Sequence, residues 1–449
     1  MLKIINGQVV TQEGVISEPL WIEKGIIAHI GEWEKEATEV LDAENNYILP
    51  GGIDGHVHFN DPREEPWEGW YYGTCAAAAG GITTVIEMPL NGVPPVTNLE
   101  TLQLKKKRAK GEAVVNYALL GGLVSDNLSD LSDLDREGCI GFKCFMADAL
   151  DFPAADDAIM YEGMKKIRNY GKPLIVHPEN QSMTNYYVKK IKETGRSDWE
   201  CFGEAFPEIN ELEAINRALF LGKQAGVKLH IAHVSQAKAI EMIDEAKREQ
   251  KVTVETCPHY LFFDSKKAKE IGCKAICTPP MRDEINREQL WKLVLENKID
   301  NIVSDHAPCA PINKPVNKND VWNSWTGING IQTMISAVWT EGEKRGLTIE
   351  QLVKLFALAP SKIYGLYPRK GAIREGADAD IIFFNPNIKW TFTKEMVKSR
   401  YPMSPYIGME LKGKVEKTLV NGKVVFDGMK ITGKNGSFIE ANRDDGNTD

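Results

Sequence analysis

The chain has 449 residues, 43% hydrophobic and 26% charged, which suits one large globular domain with a smaller companion. A net charge of −9 without a basic cluster argues against nucleic acid, and no apolar run approaches a membrane span. There is no signal-peptide pattern, and the eight cysteines are scattered without a CxxC pair, so free thiols in a reducing cytoplasm are expected.

Residues 1–48 read as short strands, among them Leu20-Trp21-Ile22-Glu23 and Gly25-Ile26-Ile27-Ala28-His29-Ile30. Ile5-Asn6-Gly7-Gln8-Val9-Val10 echoes Val420-Asn421-Gly422-Lys423-Val424-Val425, and Asn-Gly between β-branched residues predicts a hairpin in each. Residues 379–427 are strand-like again, so both termini are expected to build one small β-sandwich domain. The predicted organisation is 1–49 and 379–438 in that domain, 50–378 in a catalytic domain, and 439–449 as a polar, flexible tail.

Between the termini, apolar strand candidates fall near 48–58, 82–88, 114–121, 139–146, 173–177, 228–234, 252–257 and 300–305. Helical patterns such as 211–219 and 289–295 separate most of them; the signal across 122–138 is the shortest. Eight strands alternating with helices predict an α/β fold, a (β/α)8 TIM barrel. The competing doubly wound sheet lacks a GxGxxG after its first strand. The run Lys105-Lys106-Lys107-Arg108 reads as a solvated helix end.

His56-Val57-His58 closes the first barrel strand, and side chains at i and i+2 share a face, so both imidazoles can hold one metal ion. Lys143 lies inside the apolar fourth strand, His177 and His233 end the fifth and sixth, and Asp305 ends the eighth. A closed parallel barrel gathers all strand C-termini at one face, so these six residues are expected to converge. Read singly, each has a plainer account. Lys143 fits a snorkelling lysine, a Schiff-base nucleophile or half of an ion pair, and Asp305 fits a helix N-cap.

A buried lysine has a lowered pKa and is partly the free amine, which adds carbon dioxide to give a carbamate. That turns a cation into a bidentate anion able to bridge two metal ions. Four imidazoles, one carbamate and one carboxylate suit zinc, manganese, cobalt or iron, and two such ions generate a nucleophile at neutral pH. His230, three residues before His233, is expected on the opposite strand face and is assigned a structural role. His259, near the barrel rim, and His306 are candidates for outer partners.

With these residues the chain resembles the cyclic-amidohydrolase branch of the amidohydrolase superfamily, which includes allantoinases, hydantoinases or dihydropyrimidinases, and dihydroorotases. The matching segments run from Pro50-Gly51-Gly52-Ile53-Asp54-Gly55-His56-Val57-His58 to Gly376-Ala377-Asp378-Ala379-Asp380 and cover nearly the whole chain. The resemblance implies that His56, His58, carboxylated Lys143 and Asp305 bind one metal, and Lys143, His177 and His233 the other. Trp67-Glu68-Gly69-Trp70, Glu87-Met88-Pro89-Leu90-Asn91 and Ser304-Asp305-His306-Ala307-Pro308-Cys309 are most like allantoinases.

Dihydroorotases place an arginine two residues after the second histidine, where this chain has Asn60, so no cation meets an orotate-type carboxylate. Hydantoinases place an oxyanion-holding tyrosine five residues after the lysine, where this chain has Asp148. Two segments depart from the allantoinase pattern: Pro62-Arg63-Glu64-Glu65-Pro66 and Pro178-Glu179-Asn180. The implied activity is opening of a cyclic ureide, allantoin to allantoate, with Asp305 as general base and then acid. Backbone groups around Thr278 and Thr326, by position in hydantoinases, are candidates for holding the ureide edges. A hydantoinase or dihydropyrimidinase is the nearest rival; a non-catalytic assembly homologue, which would have lost ligands, is the other. The resemblance also implies a homodimer or homotetramer.

Overall fold

The computed structural model describes residues 1–63, 67–149, 151–314 and 320–441. Its centre is an eight-stranded parallel barrel whose strands follow one another in chain order. They are Gly52–Val57, Ile82–Glu87, Asn116–Gly122, Gly141–Phe145, Pro173–His177, Lys228–Ile231, Val252–Thr256 and Asn301–Ile302. The first five are buried along their whole length, as strands covered on both faces must be. Closure between the last and first strands rests on a bridge from Val57 to His306, with the His58 N–H donating to the His306 carbonyl at 2.8 Å.

The weak helical signal across 122–138 yields only Leu131–Arg136. Ile53, Ile86, Ala118, Leu120, Phe145 and Ile175, drawn from the first five strands, share one apolar cluster. A larger cluster, including Val85, Leu119, Phe142, Leu174 and Val254, joins strands to surrounding helices.

The termini form two further sheets. Tyr47–Pro50 pairs antiparallel with Ile381–Thr391, which ties the N-terminal and C-terminal segments into one six-stranded sheet. Asn421 and Gly422 both have positive φ, the turn that the Asn-Gly signal predicts, between Glu410–Val420 and Lys423–Phe426. Asn6-Gly7 does not behave this way: Leu2–Ile5 and Gln8–Thr11 belong to different sheets. Gly7 is needed there because a Cβ would come within 2.2 Å of Ile48 Cδ1.

Two more expectations are corrected. Ile439 is 6% exposed and donates to the Tyr117 carbonyl at 2.8 Å, so the start of the predicted tail packs under the barrel; residues 442–449 lie outside the described residues. Lys105 is 1% exposed, donating to the Met88 carbonyl at 2.8 Å and pairing with Glu87 at 3.1 Å, because its stem points inward from the helix Leu99–Ala109. All eight cysteines are free thiols. Among the described residues, no helix is long and apolar enough to cross a membrane.

Candidate active site

The six ligand-type residues meet at the C-terminal mouth of the barrel. Nε2 of His56 lies 3.5 Å from Asp305 Oδ1, and Nε2 of His58 lies 3.4 Å from the same oxygen. One potential ligand atom from each of these three residues falls within 4.8 Å of the others. A second pair faces them: His177 Nδ1 is 2.9 Å from His233 Nε2. The His56 and His233 rings, 5.2 Å apart, connect the two groups.

Lys143 is fully buried, and its Nζ has no hydrogen-bond partner. Burial lowers its ammonium to about 8. An unpartnered buried amine beside four imidazoles and a carboxylate is unfavourable as it stands, and this donor set would suit divalent ions if the amine were converted to an anion. Burial, then the Lys143 charge, pulls His56 down to about 4; burial also holds His177 and His233 well below the usual imidazole range. In each of the three, burial disfavours the charged ring and so favours the form with a lone pair to donate. Burial pushes Asp305 up, but the imidazoles of His56, His58 and His233 outweigh it and hold the carboxyl well below its usual range.

Local backbone geometry aims two of these groups. His233 has φ 31° and Asp305 φ 46°, left-handed values that non-glycine residues seldom adopt. The sixth strand ends at Ile231 and the eighth at Ile302, so neither residue follows strand alternation. His230 is consequently within reach of the site's supports despite the i, i+3 spacing. It is fully buried, with Nε2 donating to Glu255 Oε2 at 2.9 Å and Nδ1 lying 2.7 Å from Thr253 Oγ1.

Glu255, within the seventh strand, is a residue that the sequence reading missed. Its Oε1 lies 2.5 Å from His56 Nδ1 and accepts the His233 backbone N–H at 3.2 Å. Burial raises this carboxyl, but His56 and His230 hold it well below the usual range. Glu179, in the segment Pro178-Glu179-Asn180, has its Oε2 2.7 Å from His177 Nε2. Asp54 accepts from the backbone N–H groups of His56 at 3.2 Å and Ser304 at 3.1 Å, tying the first and last strands together. Nδ1 of His58 is 3.2 Å from the Asn91 side-chain amide. The available signal was an acid inside an apolar run, as in Val252-Thr253-Val254-Glu255-Thr256.

A cavity of about 390 Å³ opens over the imidazoles. Asp148, Thr278 and Thr326 line it, together with Phe145, Glu179, Gln181 and Trp325. Asp148 Oδ1 accepts the Ala154 N–H at 3.0 Å. Asn60 is elsewhere: 1% exposed, with φ 57° and neither amide atom hydrogen-bonded, it is absent from the cavity wall. His259 is buried with Nε2 unpartnered, and burial lowers it to about 4. His306 Nδ1 accepts the Gly330 N–H at 3.3 Å, and its Nε2 faces Glu68 at 3.7 Å. Of the segment Pro62–Pro66, residues 64–66 lie outside the described residues.

The sequence matches the family described as "Amidohydrolase family" over residues 47–425. It is 38% identical to an allantoinase from Rubrobacter xylanophilus, covering 99% of this chain and 98% of that protein. It is also 38% identical to an allantoinase from Escherichia coli K12, covering 98% of each. The fold superposes on the L-hydantoinase (dihydropyrimidinase) of Arthrobacter aurescens with a TM-score of 0.94 at 32% identity, covering 98% of this chain and 99% of that one. A dihydropyrimidinase from Brevibacillus agri gives 0.92 at 28% identity, covering 98% of each.

Proposed function

The chain belongs to the amidohydrolase family, and we propose that this cyclic amide hydrolase opens the ring of a five-membered cyclic ureide, allantoin to allantoate. The observation that carries the reading is the convergence of His56, His58, Lys143, His177, His233 and Asp305 under one cavity, with Lys143 Nζ buried and unpartnered. The allantoinase names borne by relatives that match along nearly the full chain support the choice of substrate.

His56, His58 and Asp305 would hold one divalent ion, His177 and His233 a second, and Lys143, as its carbamate with carbon dioxide, both. Zinc comes first, with manganese, cobalt or iron as alternatives. Such ions supply a polarised ring carbonyl and a water that ionises near neutral pH. Asp305, kept ionised by its imidazole neighbours, takes the proton of the attacking water and returns it to the ring nitrogen as the C–N bond breaks. Glu255 and Glu179 accept an N–H of His56 and His177, which turns the opposite nitrogen of His56 toward Asp305 and that of His177 toward His233. Thr278 and Thr326, on the cavity wall, hold the ureide edges, and Asp148 offers an acceptor to substrate N–H groups. Asn60 bears on specificity only as an uncharged residue beside His58.

The structural likeness to hydantoinases favours a second reading, hydrolysis of hydantoin or dihydrouracil. Ring-opening rates on allantoin, hydantoin, dihydrouracil and dihydroorotate, with zinc-, manganese- or cobalt-loaded protein, separate the two. Preference for allantoin supports the first; preference for hydantoin or dihydrouracil overturns it. A cytoplasmic homodimer or homotetramer completes the proposal, and light scattering on the purified protein tests the assembly.

A further inference from the structure

Lys314 is 2% exposed, and among the described residues no carboxylate pairs with it. Burial lowers its ammonium to about 8, while the Cys309, Cys273 and Cys277 thiols act in the opposite direction. An ammonium has three donors. Here they meet three backbone carbonyls: Cys273 at 2.8 Å, Ile276 at 3.4 Å and Trp325 at 2.9 Å. A methionine would fill similar volume without desolvating a charge, so stability alone gives little reason for a cation here.

The carbonyls come from two separate segments, each of which reaches the cavity wall, one at Thr278 and the other at Trp325 and Thr326. Ile276 lies two residues before Thr278, and Trp325 immediately precedes Thr326. A trans peptide is planar, with its C=O and N–H pointing in opposite directions. Drawing the Trp325 carbonyl toward Lys314 therefore turns the Thr326 N–H the other way. Two more bonds brace that segment: the Trp325 N–H donates to the Asn313 carbonyl at 2.7 Å, and its indole N–H to the Ala307 carbonyl at 2.8 Å. The indole also packs 4.7 Å from the Trp67 ring.

The geometry points to Lys314 as a positioning residue that sets the width of the substrate slot. By holding the carbonyls of Ile276 and Trp325, it fixes the Thr278 and Thr326 walls against each other around a planar cyclic ureide. This rests on the ureide reading above for its substrate, but not for the coupling of the two walls.

The test uses the full-length, metal-loaded enzyme and its Lys314→Met variant, assayed on allantoin and hydantoin, with metal content and hydrogen exchange measured in parallel. Losing charge-assisted bonds behind both walls should raise KM roughly tenfold or more, with kcat changed by less than about threefold. Metal content should match the parent, and faster exchange should be confined to residues 273–278 and 321–327. Lys314→Arg, which keeps charge and donors, should recover much of the KM. Unchanged KM with unchanged local exchange overturns the proposal; so does a joint fall of kcat, metal content and global protection. If Lys314→Met does not fold, Lys314→Gln, which keeps donors for two of the carbonyls, carries the same comparison. A parent enzyme inactive on both ureides overturns the functional reading, while exchange in the variant still decides whether Lys314 couples the walls.

Discussion

Glu255 Oε1 lies 2.5 Å from His56 Nδ1, while its Oε2 lies 2.9 Å from His230 Nε2. One buried carboxylate thus orients an imidazole at the barrel mouth and is itself oriented by a second imidazole deeper in the barrel. A carboxylate accepts only, so it selects the His56 tautomer with hydrogen on Nδ1 and leaves Nε2 toward Asp305.

Glu255→Gln keeps the shape but introduces a donor, which opposes that tautomer. Metal affinity and kcat/KM should each fall ~10–100-fold. Metal titration of the stripped variant beside the parent checks this, and equal affinities would sink the orienting role.

Lys143→Ala should lose bound metal and turnover together if its carbamate bridges the ions as proposed. Acetate or propionate should restore part of the activity by occupying the vacated space as a carboxylate. Metal counting per protomer decides the matter: a variant that retains two ions ends the bridging assignment.

Chelation should abolish turnover, and added zinc, manganese or cobalt should restore it. Folding is linked to binding, so metal at about a hundredfold its Kd adds about 2.7 kcal/mol of stability. Denaturant midpoints of stripped and reloaded protein read that difference. Equal midpoints would mean that the ions do not bind the folded site.

Acid should destabilise the metal-stripped protein. Burial lowers folded His259 to about 4, against 6.5 when unfolded. Between those values the unfolded chain binds a proton that the folded chain refuses, so stability falls as pH drops through 6.5 toward 4. The integrated effect is about 3 kcal/mol for this one residue. His259→Gln should flatten the pH dependence of the urea midpoint by that share. An unchanged slope would show that the ring is protonated in the folded state.

Ile439→Ala should cost about 2 kcal/mol or more, since the side chain packs in the cluster with Ile53, Leu120 and Tyr364. Chemical denaturation measures it. A neutral substitution would return this segment to the flexible tail that its polar surroundings suggest.

Much of the barrel and the residue types at its mouth were legible in the sequence. Apolar runs of strand length alternating with helical patterns specify the class; His56, His58, His177, His233 and Asp305 stand at or near the ends of such runs, and Lys143 stands inside one. Burial on both strand faces and the chemistry of N and O donors are local properties, written residue by residue. Other features depend on contacts between distant segments. Strand alternation separates His230 from His233, yet a left-handed turn at His233 and the carboxylate of Glu255 bring both into one hydrogen-bonded set. Lys105 looked solvated until its helix placed it over Glu87, and Asn6-Gly7 looked like a hairpin until its flanking strands joined different sheets. Glu255, Glu179 and Lys314 carry no motif of their own. Their positions follow from which groups the closed barrel leaves buried and in need of partners, and only the tertiary structure decides that.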